Sequence, residues 1–259
     1  MSLRRWGLVQ AAAMVALAAL AATAGAQQPA ATPALDEGAI NGLKAMGAYL
    51  RGLKSFQVEV ATTDEDVLAD SQKFQYEGTT TILARMTDGL RAEVESHRQQ
   101  RLYLYDGKSF TLFAKRANYY ATIPAPETVG KLDDMLNEKY GFSVPLADLF
   151  RWGGANWSPE GIIAANRYDP AVVAGTTCDH YGFRQDGIDW QVWVQRGSHP
   201  LPRKLVITTT TDEARPQHTA VYTWNLAPSF NEGAFVFDPP AGAGKVLLAE
   251  AKAAAGAAK

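Results

Sequence analysis

CDHYGFRQDGIDWQVWVQRGSHPLPRKLVITTTTD, from Cys178 to Asp212, is the stretch that decides the fold. Asp186-Gly187 is a dipeptide whose tolerance of positive φ suits a tight primed hairpin turn. Beyond it Ile188, Trp190, Val192 and Val194 occupy alternate positions, and a pleated strand sends all of them to one face. Gly197-Ser198-His199-Pro200 breaks the run, and Lys204 to Thr211 resumes it with β-branched residues. The pattern predicts a meander of antiparallel strands with one strongly apolar face. What covers that face decides the function.

Outward from this stretch the same period of two recurs. On the N-terminal side it marks Phe56, Val58 and Val60, then Lys73 to Arg85, then Leu90, Ala92 and Val94. Arg101 to Tyr105 and Ser109 to Phe113 flank the hairpin dipeptide Asp106-Gly107, and Tyr119 to Ile123 follows. Ile162 to Tyr168 and Ala171 to Ala174 precede the central meander. His218 to Leu226, with Tyr222 and Trp224 on one face, comes after it, and Ala234 to Phe237 reads as a last short strand stopped by Pro239-Pro240. Two segments switch to helical spacing. Asp36 caps the first, whose Ile40, Leu43, Leu50 and Leu53 form one stripe. The second, Thr128 to Tyr140, aligns Val129, Leu132, Leu136 and Tyr140, and a short helical piece is expected from Val144 to Phe150. The sum is a mainly β, α+β domain with about ten or eleven strands, and a sheet that large must curl or close.

Arg4 and Arg5 precede an apolar run from Trp6 to Thr23, and Ala24-Gly25-Ala26 has the small-x-small form of a cleavage site. Residues 1–26 therefore read as a signal peptide, 27–35 as a flexible Ala/Gln/Pro lead-in, 36–245 as the folded domain and 246–259 as an Ala/Lys-rich tail. Removing the signal moves the formal charge from −2 to −4, with 23 basic against 27 acidic residues left. That balance argues against a nucleic-acid surface. Cys178 is the single cysteine, so no disulfide within the chain is possible.

Little in the chain suggests catalysis. Cys178 and His180 share a strand face, but a two-residue rise separates them by about 7 Å, too far for a ready thiol–imidazole bond. A small buried hydrophobe beside a hydrogen-bonded histidine explains the pair. The 4 histidines show no metal-ligand spacing, and there is no phosphate loop or nucleophile elbow. No catalytic residue, metal or cofactor is expected. The aromatic strand residues are more informative. Tyr103, Tyr105, Trp190, Tyr222 and Trp224, with Val192 and Val194, are the expected lining of the concave face, over which the two helices lie as a removable plug.

Several segments carry a family likeness. SFQVEV (Ser55–Val60), YDGKSFTLFAKRANYYATIP (Tyr105–Pro124) and AFVFDPPAGA (Ala234–Ala243) resemble the periplasmic lipoprotein-carrier superfamily of the LolA, LolB and LppX type. GTTCDHYGFRQDGIDWQVWV (Gly175–Val194) resembles a group of uncharacterised predicted periplasmic proteins assigned to the same half-barrel. The resemblance implies a single curled antiparallel sheet forming an unclosed barrel, with an N-terminal helix and a mid-chain helical lid over its concave face. It implies a periplasmic, non-catalytic carrier of a lipid or acylated ligand, with transient membrane-surface contact. It also implies a lid latch at Arg85, although Met86 stands where the carriers have a proline after the arginine. The alternative is an envelope protein-interaction or stress-sensing module on the same fold.

Overall fold

The computed structural model describes residues 35–152 and 159–251. The expected signal peptide, nearly all of the lead-in and the end of the tail lie outside these residues. The first meander comprises β1 (Ser55–Val67), β2 (Lys73–Arg85), β3 (Gly89–Ser96), β4 (Gln100–Tyr105), β5 (Ser109–Ala114) and β6 (Tyr119–Pro124). The second comprises β7 (Ala164–Val173), β8 (Thr176–Gln185), β9 (Ile188–Gln195), β10 (Pro202–Thr209) and β11 (Gln217–Asn225). A two-residue strand, β12 (Gly244–Lys245), follows. The helices are α1 (Glu37–Gly52), α2 (Val129–Tyr140) and the single turn α3 (Asp148–Arg151).

All 12 strands belong to one sheet, in the order β12-β6-β5-β4-β3-β2-β1-β11-β10-β9-β8-β7. Each meander pairs strand to next strand through short turns, and antiparallel β1–β11 pairing joins the two. Gly107 and Gly187 sit at φ of 82° and 74°, as their hairpins require. The sheet ends on β12 and β7, which do not pair with each other, so the wall is bent but unclosed.

Alternation sorts side chains to the two faces. Ala121, Leu112, Tyr103, Ala92, Ile82, Val58 and Trp224 form one cross-strand row on the inner face. Ala220, Leu205, Val192 and Tyr181 form another. The helices close over these rows. Ala39, Ile40, Leu43, Met46 and Leu50 of α1 join the same core as Val129, Leu132 and Leu136 of α2. The Asp36 carboxylate accepts from the Ala39 amide at 2.8 Å, and the Thr128 hydroxyl caps α2.

The expected boundaries need four corrections. The segment from Ala234 to Phe237 is a 3₁₀ turn (Glu232–Phe235), because Phe235 buries beneath Gly89 and Pro239-Pro240 cannot join a ladder. The closing strand comes later, as β12, and it pairs parallel to β6, making the sheet mixed. The two strands expected around Asp169-Pro170 are one strand, β7, with a register shift between Tyr168 and Ala171 where proline removes a donor. Finally, the helical piece expected from Val144 shrinks to α3.

Candidate functional site: the concave face and its helical cover

The residues expected to line the concave face come together. Trp190, Val192, Val194, Tyr222, Tyr103 and Tyr105 are buried in one core cluster, with Trp224 half-buried against it. Their contacts are largely ring to ring and ring to aliphatic. Phe56 lies 5.2 Å from Trp224 and 6.0 Å from Phe150, and Phe183 stacks on Trp190 at 4.3 Å. Polar tips reach partners at the margins. Trp190 donates its indole N–H to Gln185 Oε1 at 2.7 Å, and Trp224 donates to the Pro202 carbonyl at 2.8 Å. The Tyr105 hydroxyl donates to the Pro126 carbonyl at 2.6 Å, at the approach to α2. Burial pushes the Tyr105 phenol up to about 12 and holds Tyr222 well above its ordinary range.

The helical layer is tied within itself. Arg51 of α1 donates to the Trp152 carbonyl beyond α3 at 3.1 Å. Asp133 of α2, 1% exposed, accepts from the Val144 amide at 3.0 Å and so fixes the α2–α3 connection. The layer meets the sheet mainly through apolar side chains. Polar links tie its ends to the strands and tail: the Asp36 amide to the Ala165 carbonyl at 2.9 Å, Tyr105 to Pro126, and the Ala251 amide to the Lys139 carbonyl at 2.8 Å; between them the Asp148 carboxylate faces the Tyr222 phenol and helps to raise it.

One contact between α1 and the sheet is unusually close. A Cβ built on Gly42 would lie 2.4 Å from Cζ and Oη of Tyr181, so the phenol rests on the helix backbone. Gly42 and Tyr181 were not among the expected site residues. An isolated glycine inside an apolar helical stripe is the sequence signal for such packing. Near the same end of α1 a cavity of about 530 Å³ opens between Leu35, Glu37, Ile40, Asn41 and Lys44 on one side and Pro159, Glu160 and Ile162 on the other.

Arg85 stands at the end of β2. Its Nε donates to Asp88 Oδ1 at 2.6 Å, and its guanidinium lies 5.0 Å from the Phe235 ring centroid. These partners belong to its own hairpin and to the C-terminal segment. Cys178 and His180 have separate partners. The Cys178 thiol donates to the Thr176 carbonyl at 3.4 Å, and burial pushes it up, away from thiolate character. His180 pairs with Gln191 and stacks 4.1 Å from Trp193, and burial lowers its pKa. Among the described residues no group of three or more His, Cys, Asp and Glu side chains is placed to hold a metal ion.

A family model described as "Predicted periplasmic protein (DUF2092)" matches residues 39–249. The chain belongs to that family. The match runs from α1 to the C-terminal segment and so takes in both meanders and the helical cover. No curated protein matches the chain in sequence. Among solved structures, an uncharacterised conserved protein from Thermus thermophilus is similar at 9% identity, covering 82% of this chain and 98% of that one, with a TM-score of 0.46. The lipoprotein LppX of Mycobacterium tuberculosis is similar at 10% identity over 76% of this chain and 100% of its own, with a TM-score of 0.39. A LolA superfamily protein from Nitrosomonas europaea is similar at 12% identity over 77% and 97%, with a TM-score of 0.35.

Proposed function

We propose that the protein is a periplasmic, non-catalytic carrier or binding protein for a lipid or acylated ligand, exported through a cleavable signal peptide. The observation that carries this reading is the character of the seam between helices and sheet. The seam is lined mainly by apolar side chains, with the Tyr181 and Tyr222 phenols and Asp148 as the polar groups set into it, and hydrogen bonds tie the cover to the chain at its ends. An acyl chain entering such a seam replaces aliphatic contacts of Leu43, Met46 and Leu50 with contacts of the same kind. The exchange therefore costs little, while the chain gains about 0.8 kcal/mol for each methylene it withdraws from water. A sixteen-carbon chain represents on the order of 12 kcal/mol gross, which no exposed patch would hold.

In the closed state the helices fill the space and keep the aromatic wall from water. An open face of that kind would be an aggregation hazard. Binding is then a population shift from closed to open. The lining residues are Trp190, Val192, Val194, Tyr222, Trp224, Tyr103 and Tyr105. Arg85, held at the end of β2 by Asp88 and the Phe235 ring, is the lid latch of this reading.

Native mass spectrometry of the mature protein before and after delipidation tests the proposal. Depletable acyl-chain mass, with tryptophan fluorescence that changes as it leaves, is the expected result. A clean apo mass, no uptake of any amphiphile and specific retention of an envelope protein would replace the carrier reading with an interaction module.

A further inference from the structure

We infer that the cavity between α1 and the segment leading into β7 is the mouth through which a single acyl chain enters, and that its rim receives a zwitterionic phosphate–ammonium head group. The inference deepens the carrier reading and rests on it.

The first ground is how little backbone bonding holds the start of α1 to the β7 edge of the sheet. Adjacent strands within the two meanders are joined by whole ladders of backbone hydrogen bonds. The β7 edge, by contrast, meets the chain entering α1 through the Leu35–Ala165 bridge and the Asp36 amide bond to the Ala165 carbonyl. Separating α1 from the sheet there breaks this short bridge and not a ladder.

The second ground is the continuity of the apolar surface. The cavity, about 530 Å³, falls in the size range of small-molecule sites. Ile40 and Ile162 line it and also belong to the concave core, whereas Leu35 beside them is 51% exposed. The apolar surface thus leads from Leu35 through Ile40 and Ile162 to the core, between the charged rim residues Glu37, Lys44 and Glu160. Its walls are one stripe of α1 and a short segment from Pro159 to Ile162, which suits one chain rather than two.

The third ground is the charge at the rim. Glu37, Asn41 and Lys44 recur at i, i+4 and i+7, so they line one side of the mouth, and all three are exposed. Glu160 stands across from them. Among the described residues neither Glu37 nor Lys44 has an ion-pair partner. A phosphate at Lys44 with an ammonium toward Glu37 complements both signs. A fatty-acid carboxylate complements Lys44 alone and meets the acidic groups.

The experiment is calorimetric titration of the delipidated mature protein, below the micelle concentration, with palmitoyl lysophosphatidylethanolamine, palmitoyl lysophosphatidylglycerol and palmitate. The zwitterionic lysolipid is expected to bind about fivefold tighter than either anion. Lys44→Glu should remove that preference. Asn41→Trp, which changes an exposed side chain and fills the mouth, should weaken binding about tenfold or more with an unchanged melting temperature. Equal affinities for the three amphiphiles, or undiminished binding by the folded Asn41→Trp protein, would overturn the inference and leave the carrier reading standing. Failure of the unaltered protein to bind any of them would remove both.

Discussion

Gly42→Ala is the sharpest probe of how tightly the helical cover sits on the sheet. The added methyl lies 2.4 Å from Tyr181 Cζ and Oη and 2.6 Å from Cε2, closer than real Cβ contacts come. Either the buried ring or α1 must move. Overpacking of this kind costs about 1–3 kcal/mol, and replacing glycine by alanine inside a helix returns about 1 kcal/mol. The net expectation is a loss of about 1 kcal/mol and a melting temperature lower by about 2–4 °C. Because the strain falls on the cover, amide exchange should accelerate across residues 37–52 more than in β8. Ligand uptake should also quicken.

A second background removes the clash. Tyr181→Ala alone should cost about 3–5 kcal/mol as a buried ring is lost. With the ring gone, Gly42→Ala should become stabilising by about 1 kcal/mol, because only the helix preference remains. Denaturant unfolding of all four proteins gives the coupling directly, and a value of about 1–3 kcal/mol is expected for residues in contact. If Gly42→Ala stabilises the unaltered protein as much as it stabilises the Tyr181→Ala protein, the phenol does not press on the helix and the reasoning fails.

The other predictions concern the margins of the cover. The folded Tyr105 phenol titrates near 12 against an ordinary value of 10.0, so its contribution is complete below pH 10 and is lost as pH rises toward 12. Tyr105→Phe should abolish that part of the alkaline loss, measured as the difference between the two unfolding curves, and should cost about 1–3 kcal/mol at neutral pH by leaving the Pro126 carbonyl unbonded. Asp133→Leu removes the acceptor for the buried Val144 amide and should cost a similar 1–3 kcal/mol, with faster exchange in residues 141–150. Gly89→Ala sets a methyl 2.9 Å from the Phe235 ring and should destabilise by about 1–3 kcal/mol, read as earlier proteolysis of the C-terminal segment. Deleting residues 247–259 removes the Ala251–Lys139 hydrogen bond and should speed exchange at the end of α2, at a cost of about 0.5–1.5 kcal/mol.

The strands and helices were readable from the sequence because their signals are local. Alternation along Ile188–Val194 assigns a face whatever the partner strand is, and Asp186-Gly187 and Asp106-Gly107 name their turns unaided. Asp36 and Thr128 announce their helices in the same way. Where expectation and structure part, the deciding contact is distant in sequence. The segment at Ala234 has strand composition, yet Phe235 is claimed by Gly89 and Arg85, far away along the chain.

The amino-acid sequence by itself therefore determined the period, the turns, the helix starts and which residues share the apolar face. Tertiary structure alone decided that the two meanders join through β1 and β11, that β7 and β12 stay apart, and that Gly42 of α1 lies under Tyr181. The physical reason is that a wall lined for a ligand and a wall packed against helices need the same side chains. Only the placement of the covering layer tells which of the two the side chains serve.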